Sequence, residues 1–277
     1  MTSETGEEVF RIAVSDKQDS KLGMGGTAQE STRSVYYYAE RTKAGSLYIQ
    51  ALNGDFHPSG RKRNLTLEEF LGGYRPEPLL YYNKVRPAMD GVEANLEKGD
   101  SLLDAGKPEA AKRCYDKALA VDEDNIRGIF GLGLAYLSAG KNEDAMGILG
   151  KIMNLEMAFD PQHTHLFNRF GIQMRKSGML AQALDYYNKA LALNVEDEHL
   201  HFNVCRIHYE MEDFPEALRC VNTALALNSG FSEAARMLSH LLKLRPELAQ
   251  CLGGEKEMSD REKYPELDLE GAPWETA

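Results

Sequence analysis

The feature that most constrains this 277-residue chain is a repeat. Gly99, Gly133, Gly171 and Cys205 lie 34, 38 and 34 residues apart, and further positions recur with them. Gly106, Gly140, Gly178 and Glu212 follow in step. So do Ala111, Ala145, Ala183 and Ala217, then Tyr115, Leu149, Tyr187 and Val221, then Ala118, Ile152, Ala190 and Ala224. One register fits four copies, 92–125, 126–159, 164–197 and 198–231, with four extra residues near Asp160-Pro161. A unit of this length cannot bury its own apolar face, so copies must stack to share a core.

Each copy reads as two helices. Ile129, Leu132 and Tyr136, or Phe167, Phe170 and Met174, repeat at helical spacing. The turns "AGKPEA", "AGKNEDA", "SGMLAQA" and "MEDFPEA" separate the helices. Asn142 and Asp213 are candidate N-caps, and Pro108 and Pro215 fall where a helix tolerates a missing N–H. The run "FGLGLAYLSAG" (Phe130–Gly140) contains two glycines that each cost about 1 kcal/mol in a helix interior. Close helix crossing at Gly99, Gly133 and Gly171 would explain the conserved spacing within the chain, and Gly140 would end its helix. Gly131 is read as part of an inner surface, widening a groove. "SEAARMLSHLLK" (Ser232–Lys243) reads as an amphipathic helix capping the stack.

This pattern of small residue, glycine, alanine, aromatic and alanine resembles the tetratricopeptide repeat family over 92–243. The departures are Asn95, Ile129, Phe167 and His201 at the first large position and Glu123, Met157, Val195 and Ser229 at the closing proline. Lys98 also replaces a leucine. The resemblance implies a mostly α fold, a right-handed α-solenoid of helix pairs whose first helices line a concave face. Overall resemblance, with no motif behind it, points to the bacterial type.

On that face the register places Phe130 from the second copy, Asn168, Arg169 and Arg175 from the third, and Phe202, Asn203, Arg206 and Tyr209 from the fourth. Asparagine amides bond both N–H and C=O of an extended chain, arginine forks onto carboxylates, and aromatic residues anchor interfaces. These eight residues are therefore the candidate partner-binding set, for an extended, acidic segment of another protein. The carboxylate-clamp pattern of chaperone adaptors is not matched, because Leu96, Asp100 and Gly131 stand at its basic and amide positions.

The remaining chain divides by composition. Residues 1–32, with "GMGGTA", read as a flexible N-terminal segment, and that glycine stretch lacks the G-x-x-x-x-G-K-[ST] pattern of a phosphate loop. Residues 33–89 read as a small β-hairpin/α module. "SVYYYAE" and "SLYIQAL" pair, and "TLEEFLGGY" opens on a Thr66/Glu69 capping box. The module is expected to dock on the first repeat through Leu79 and Tyr82. Residues 244–277 read as an acidic disordered tail carrying Trp274. Folding back over the repeats, that tail would make an intramolecular contact with the groove.

The net charge of −11 is uneven, with only 33–89 leaning positive. Tyr36, Tyr37 and Tyr38 near Arg61, Lys62 and Arg63 lack an RNA-recognition signature, so nucleic acid is disfavoured. No apolar run is long enough to span a bilayer. The four cysteines lack C-x-x-C pairing, G-x-S-x-G and H-E-x-x-H are absent, and no cofactor or metal is expected. His201 and His208 are assigned to the core; His165 and His199 are expected close together but without further ligands. The expected function is a cytoplasmic, non-catalytic scaffold or adaptor. The alternatives are an assembly or secretion chaperone for a client, and small-ligand or nucleic-acid binding through the N-terminal module.

Overall fold

Left-handed backbone at one position per copy closes the helix pairs. Gly106, Gly140 and Gly178 have φ of 68°, 72° and 75°. In the fourth copy Glu212 adopts the same conformation at 61°, although it bears a side chain. Each closure is made the same way: Lys107, Lys141, Met179 and Asp213 donate backbone N–H groups to the carbonyls of Leu102, Tyr136, Met174 and His208. These bonds satisfy carbonyls that the helix end would otherwise strand.

The computed structural model describes residues 10–22 and 29–248. The chain divides into two compact units, residues 1–135 and 136–277. "GMGGTA" and the acidic tail beyond Leu248, with Trp274, lie outside the described residues.

The first unit begins with a five-stranded sheet in the order β4-β3-β2-β1-β5. Its strands are β1 (Phe10–Leu22), β2 (Gln29–Arg41), β3 (Leu47–Leu52), β4 (Pro58–Leu65) and β5 (Arg75–Pro76). All neighbours pair antiparallel. The expected hairpin is β2–β3, with Arg41 opposite Leu47. The expectation of a flexible 1–32 fails for 10–22 and 29–32, which form a long ladder with Phe10 opposite Arg41. The cause lies in "FRIAV". Its alternation places Val14 in one core with Ala39, Ile49 and Phe70, and Ala13 in another with Tyr38, Tyr48 and Val85.

Helix α1 (Leu67–Gly73) starts on the predicted capping box: Thr66 accepts from the Glu69 N–H while Glu69 takes the Thr66 N–H. The short α2 (Pro78–Leu80) passes through a π-turn at Tyr81–Val85 into α3 (Arg86–Asp104). Val85 is the residue turned to the sheet. Leu79 and Tyr82 fall on the opposite side and are 76% and 62% exposed, so they do not dock the module as expected. The β3–β4 turn makes a polar contact with the end of the first repeat. There the Asn53 side-chain amide donates to the Val121 carbonyl at 2.6 Å, and His57 Nδ1 stands 3.9 Å from the Asp122 carboxylate.

Helix α4 (Pro108–Val121) pairs with α3, and α5 (Ile126–Ser138) runs from the first unit into the second. Within the first unit, Tyr115 is fully buried. A Cβ on Gly99 would come within 2.6 Å of its ring, and one on Gly131 within 2.4 Å. Gly131 is therefore a tight crossing, not a residue that widens a groove.

The second unit contains α6 (Asn142–Asn154), α7 (Thr164–Lys176), α8 (Leu180–Leu193), α9 (Glu198–Glu210), α10 (Phe214–Leu227) and α11 (Ser232–Leu244). Asp213 caps α10 as expected. Asn142 is the first residue of α6, not its cap, and donates to the Ser177 carbonyl at 3.4 Å. The end of the second copy and the extra residues after it form two 3-10 turns, Glu156–Phe159 and Pro161–His163. They deliver Phe159 to a cluster in which Phe167 stacks on Tyr186, ring centroids 4.2 Å apart. Gly171 repeats the crossing of Gly99, with a Cβ 2.4 Å from the Tyr187 ring. The chain is mostly helical, built of antiparallel helix pairs with a small N-terminal strand module.

Candidate functional site

Seven of the eight candidate residues lie in the second unit, on α7 and α9; Phe130 belongs to α5 in the first. Position in the repeat register does not set the depth of a side chain. Phe130 is 0% exposed and Phe202 6%, so neither can anchor a partner. Phe202 instead meets the Phe231 ring, centroids 5.0 Å apart. Asn168, Asn203 and Tyr209 are half-buried, and Arg169 is exposed.

Arg175 and Arg206, on the same two helices, are buried at 9% and 6% exposure. Glu210 pairs with Arg175 and acts favourably on Arg206. Burial, and after it the Arg175 charge, pull Arg206 below the ordinary arginine range, against the opposite effect of Glu210. Arg206 also lies over the Phe202 ring, 5.9 Å from its centroid. Arg175 Nη2 and Asn168 Oδ1 are buried without a hydrogen-bond partner, which native interiors seldom tolerate. Tyr187, fully buried beneath, donates its hydroxyl to the Asn168 carbonyl at 3.4 Å, while both arginine charges act on it.

The same register continues into α11, which the sequence reading treated only as a cap. Arg236 and His240 stand 34 residues after Phe202 and Arg206. The Tyr209 hydroxyl and His240 Nε2 are hydrogen-bonded at 2.8 Å, so α11 adds to the α9 side of the face. The 34-residue spacing was the signal that could have found them.

The histidine expectations divide. His165 and His199 are both exposed, and the His199 ring meets Phe231 at 4.9 Å. His201 and His208 are half-buried rather than core residues. His201 Nε2 lies 2.9 Å from the Val195 carbonyl. Among the described residues no helix is long and apolar enough to cross a membrane.

Fold and face together define a helix-pair repeat protein with a strand module at its start. Residues 96–152 match the family model described as tetratricopeptide repeat. The likeness to that repeat family rests on this segment of the chain. It is 28% identical over 149 residues to TPR repeat-containing protein YpiA of Bacillus subtilis (strain 168), covering 53% of this chain and 34% of that protein. It is 32% identical over 106 residues to DnaJ homolog subfamily C member 3 of Homo sapiens, covering 37% and 20% respectively. The chain thus spans about a third or less of these curated relatives. A solved structure of MamA from Desulfovibrio magneticus RS-1 is 16% identical, with a TM-score of 0.45 over 59% of this chain and 90% of that one.

Proposed function

We propose that this protein is a non-catalytic adaptor that holds an extended, acidic segment of a partner protein on the α7/α9 face. The match of residues 96–152 to a repeat family whose members are in general protein-interaction scaffolds supports the coarse reading. The finer one rests on a single observation: Arg175 and Arg206, each less than a tenth exposed, bring two like charges together on α7 and α9. Burying a charge next to a like charge is costly unless an opposite charge compensates. A partner carboxylate approaching the face supplies that compensation through the field of Arg175 and Arg206, without entering the packed layer. Asn168 and Asn203 bond the partner backbone, and Arg169 adds long-range attraction from the rim.

Phe130 and Phe202 have no part in this reading. Their burial removes the apolar anchors, so affinity comes from charge and amide contacts and weakens with added salt. The chain's own acidic residues beyond Leu248 have the chemistry this face would take.

Selection from a peptide library of graded charge, on the immobilised full chain, tests the proposal. The expected result is enrichment of acidic peptides, with binding reduced at least tenfold by Arg169→Ala combined with Asn203→Ala. Enrichment without acidic bias, or binding indifferent to both substitutions, overturns it. A gain in affinity on deleting residues 249–277 would identify that segment as a competitor for the face.

A further inference from the structure

We propose that His208, Glu216 and Cys220 form a binding site for a divalent transition metal of the zinc class, at the turn from α9 to α10. One donor atom from each residue lies within 4.8 Å of the other two. In a tetrahedral zinc site, metal–ligand distances of about 2.0–2.3 Å put donors roughly 3.5 Å apart. Closure by about an ångström therefore completes the set.

The local fold explains why these three meet. Glu216 and Cys220 are four residues apart, on one face of α10. His208 lies in the last turn of α9 and is folded back over that face by the left-handed Glu212, with the Asp213 N–H bonded to the His208 carbonyl at 2.9 Å. The Asp213 carboxylate stands 3.3 Å from His208 Nδ1, where it can fix the ring or enter as a fourth ligand. His208 Nδ1 is itself buried without a hydrogen bond.

The donor types choose the metal class. Thiolate and imidazole suit zinc, cobalt or copper, whereas magnesium and calcium demand all-oxygen sites. This separates the cluster from ordinary acidic surface groups. One feature opposes binding and gives the proposal its test: Arg219 holds Glu216, with Nε 2.9 Å from its carboxylate, and must be displaced.

The experiment is titration of the full chain with Co2+ followed by optical absorption, then displacement with Zn2+. The expected result is saturable Co2+ uptake with a thiolate charge-transfer band that Zn2+ abolishes. Cys220→Ser removes the band, while Cys114→Ser, on α4, leaves it. Glu216→Gln weakens binding at least tenfold, and Arg219→Ala strengthens it, because it frees the Glu216 carboxylate. Absence of saturable binding, or a band that survives Cys220→Ser, overturns the site. If Cys220→Ser does not fold by circular dichroism, the Glu216→Gln and Arg219→Ala pair decides: equal affinities in both contradict the proposal.

Discussion

The Tyr115 ring occupies the space that a side chain on Gly131 would need, its nearest atoms 2.4 Å from the position of a Cβ there. The ring cannot retreat. Gly99 lies against it as well, and its hydroxyl is bonded to Asp100 at 2.7 Å. Asp100 in turn receives Arg127 Nε at 2.8 Å. Gly131→Ala should therefore destabilise the chain by about 1–3 kcal/mol, as overpacking does, despite the propensity gained. Gly147 and Gly150, on an exposed part of α6, have nothing within 4 Å of a Cβ, and alanine there should stabilise by about 0.5–1 kcal/mol. Urea unfolding of the three variants checks both signs.

Glu212 makes a complementary prediction. It holds the left-handed conformation that glycine holds in the three preceding turns. A side chain there costs about 1–2 kcal/mol, part of which glycine gives back in the unfolded chain. Glu212→Gly should raise stability by up to about 1 kcal/mol, and Gly140→Ala should lower it by a similar amount. Thermal unfolding distinguishes these outcomes.

These two residues also show how far the sequence could be read. The repeat predicted the turns, because glycine at 106, 140 and 178 has a local conformational cause. Gly131 was misread, because its reason is the ring of a tyrosine from the preceding copy. Strand β1 was missed since its alternation, Phe10 to Val14, is short and followed by a polar, glycine-rich stretch. For the site, helical register did not give the depth of Arg175 and Arg206, nor that of Phe130 and Phe202. Depth depends on how closely neighbouring helices approach, and that is fixed by side chains outside the register position itself.

The buried arginines predict a separation of stability from binding. Arg206→Met removes a desolvated charge and its repulsion with Arg175 while keeping the apolar stem. Its thermal stability should equal or exceed that of the parent, while affinity for an acidic peptide falls at least tenfold. Marked destabilisation would show instead that Arg206 is a structural residue.

Glu40 governs the sheet. It accepts hydrogen bonds from Tyr48, from Tyr38 at 2.9 Å and from Arg11 at 3.0 Å. Burial alone would raise its carboxyl, but the Tyr48, Tyr38 and Arg11 hydrogen bonds outweigh that and hold it below the ordinary range. Its stabilisation is complete above the unfolded carboxyl value and is lost as pH falls through the lower folded one. Tyr38 and Tyr48 are raised, by burial first and then by the Glu40 bond. Their contribution is complete below the ordinary tyrosine value of 10.0 and is lost as pH rises beyond it. Glu40→Gln should cost about 1–3 kcal/mol at neutral pH and flatten both limbs. Denaturant unfolding across pH, with optical titration of the tyrosines, measures this.

Amide hydrogen exchange, with and without a selected acidic peptide, tests most directly whether the α7/α9 face receives the partner. The account predicts slowed exchange concentrated in residues 164–176 and 198–210, fading as salt is raised. Protection confined to residues 10–104, or unchanged exchange in both helices at saturating peptide, would contradict it.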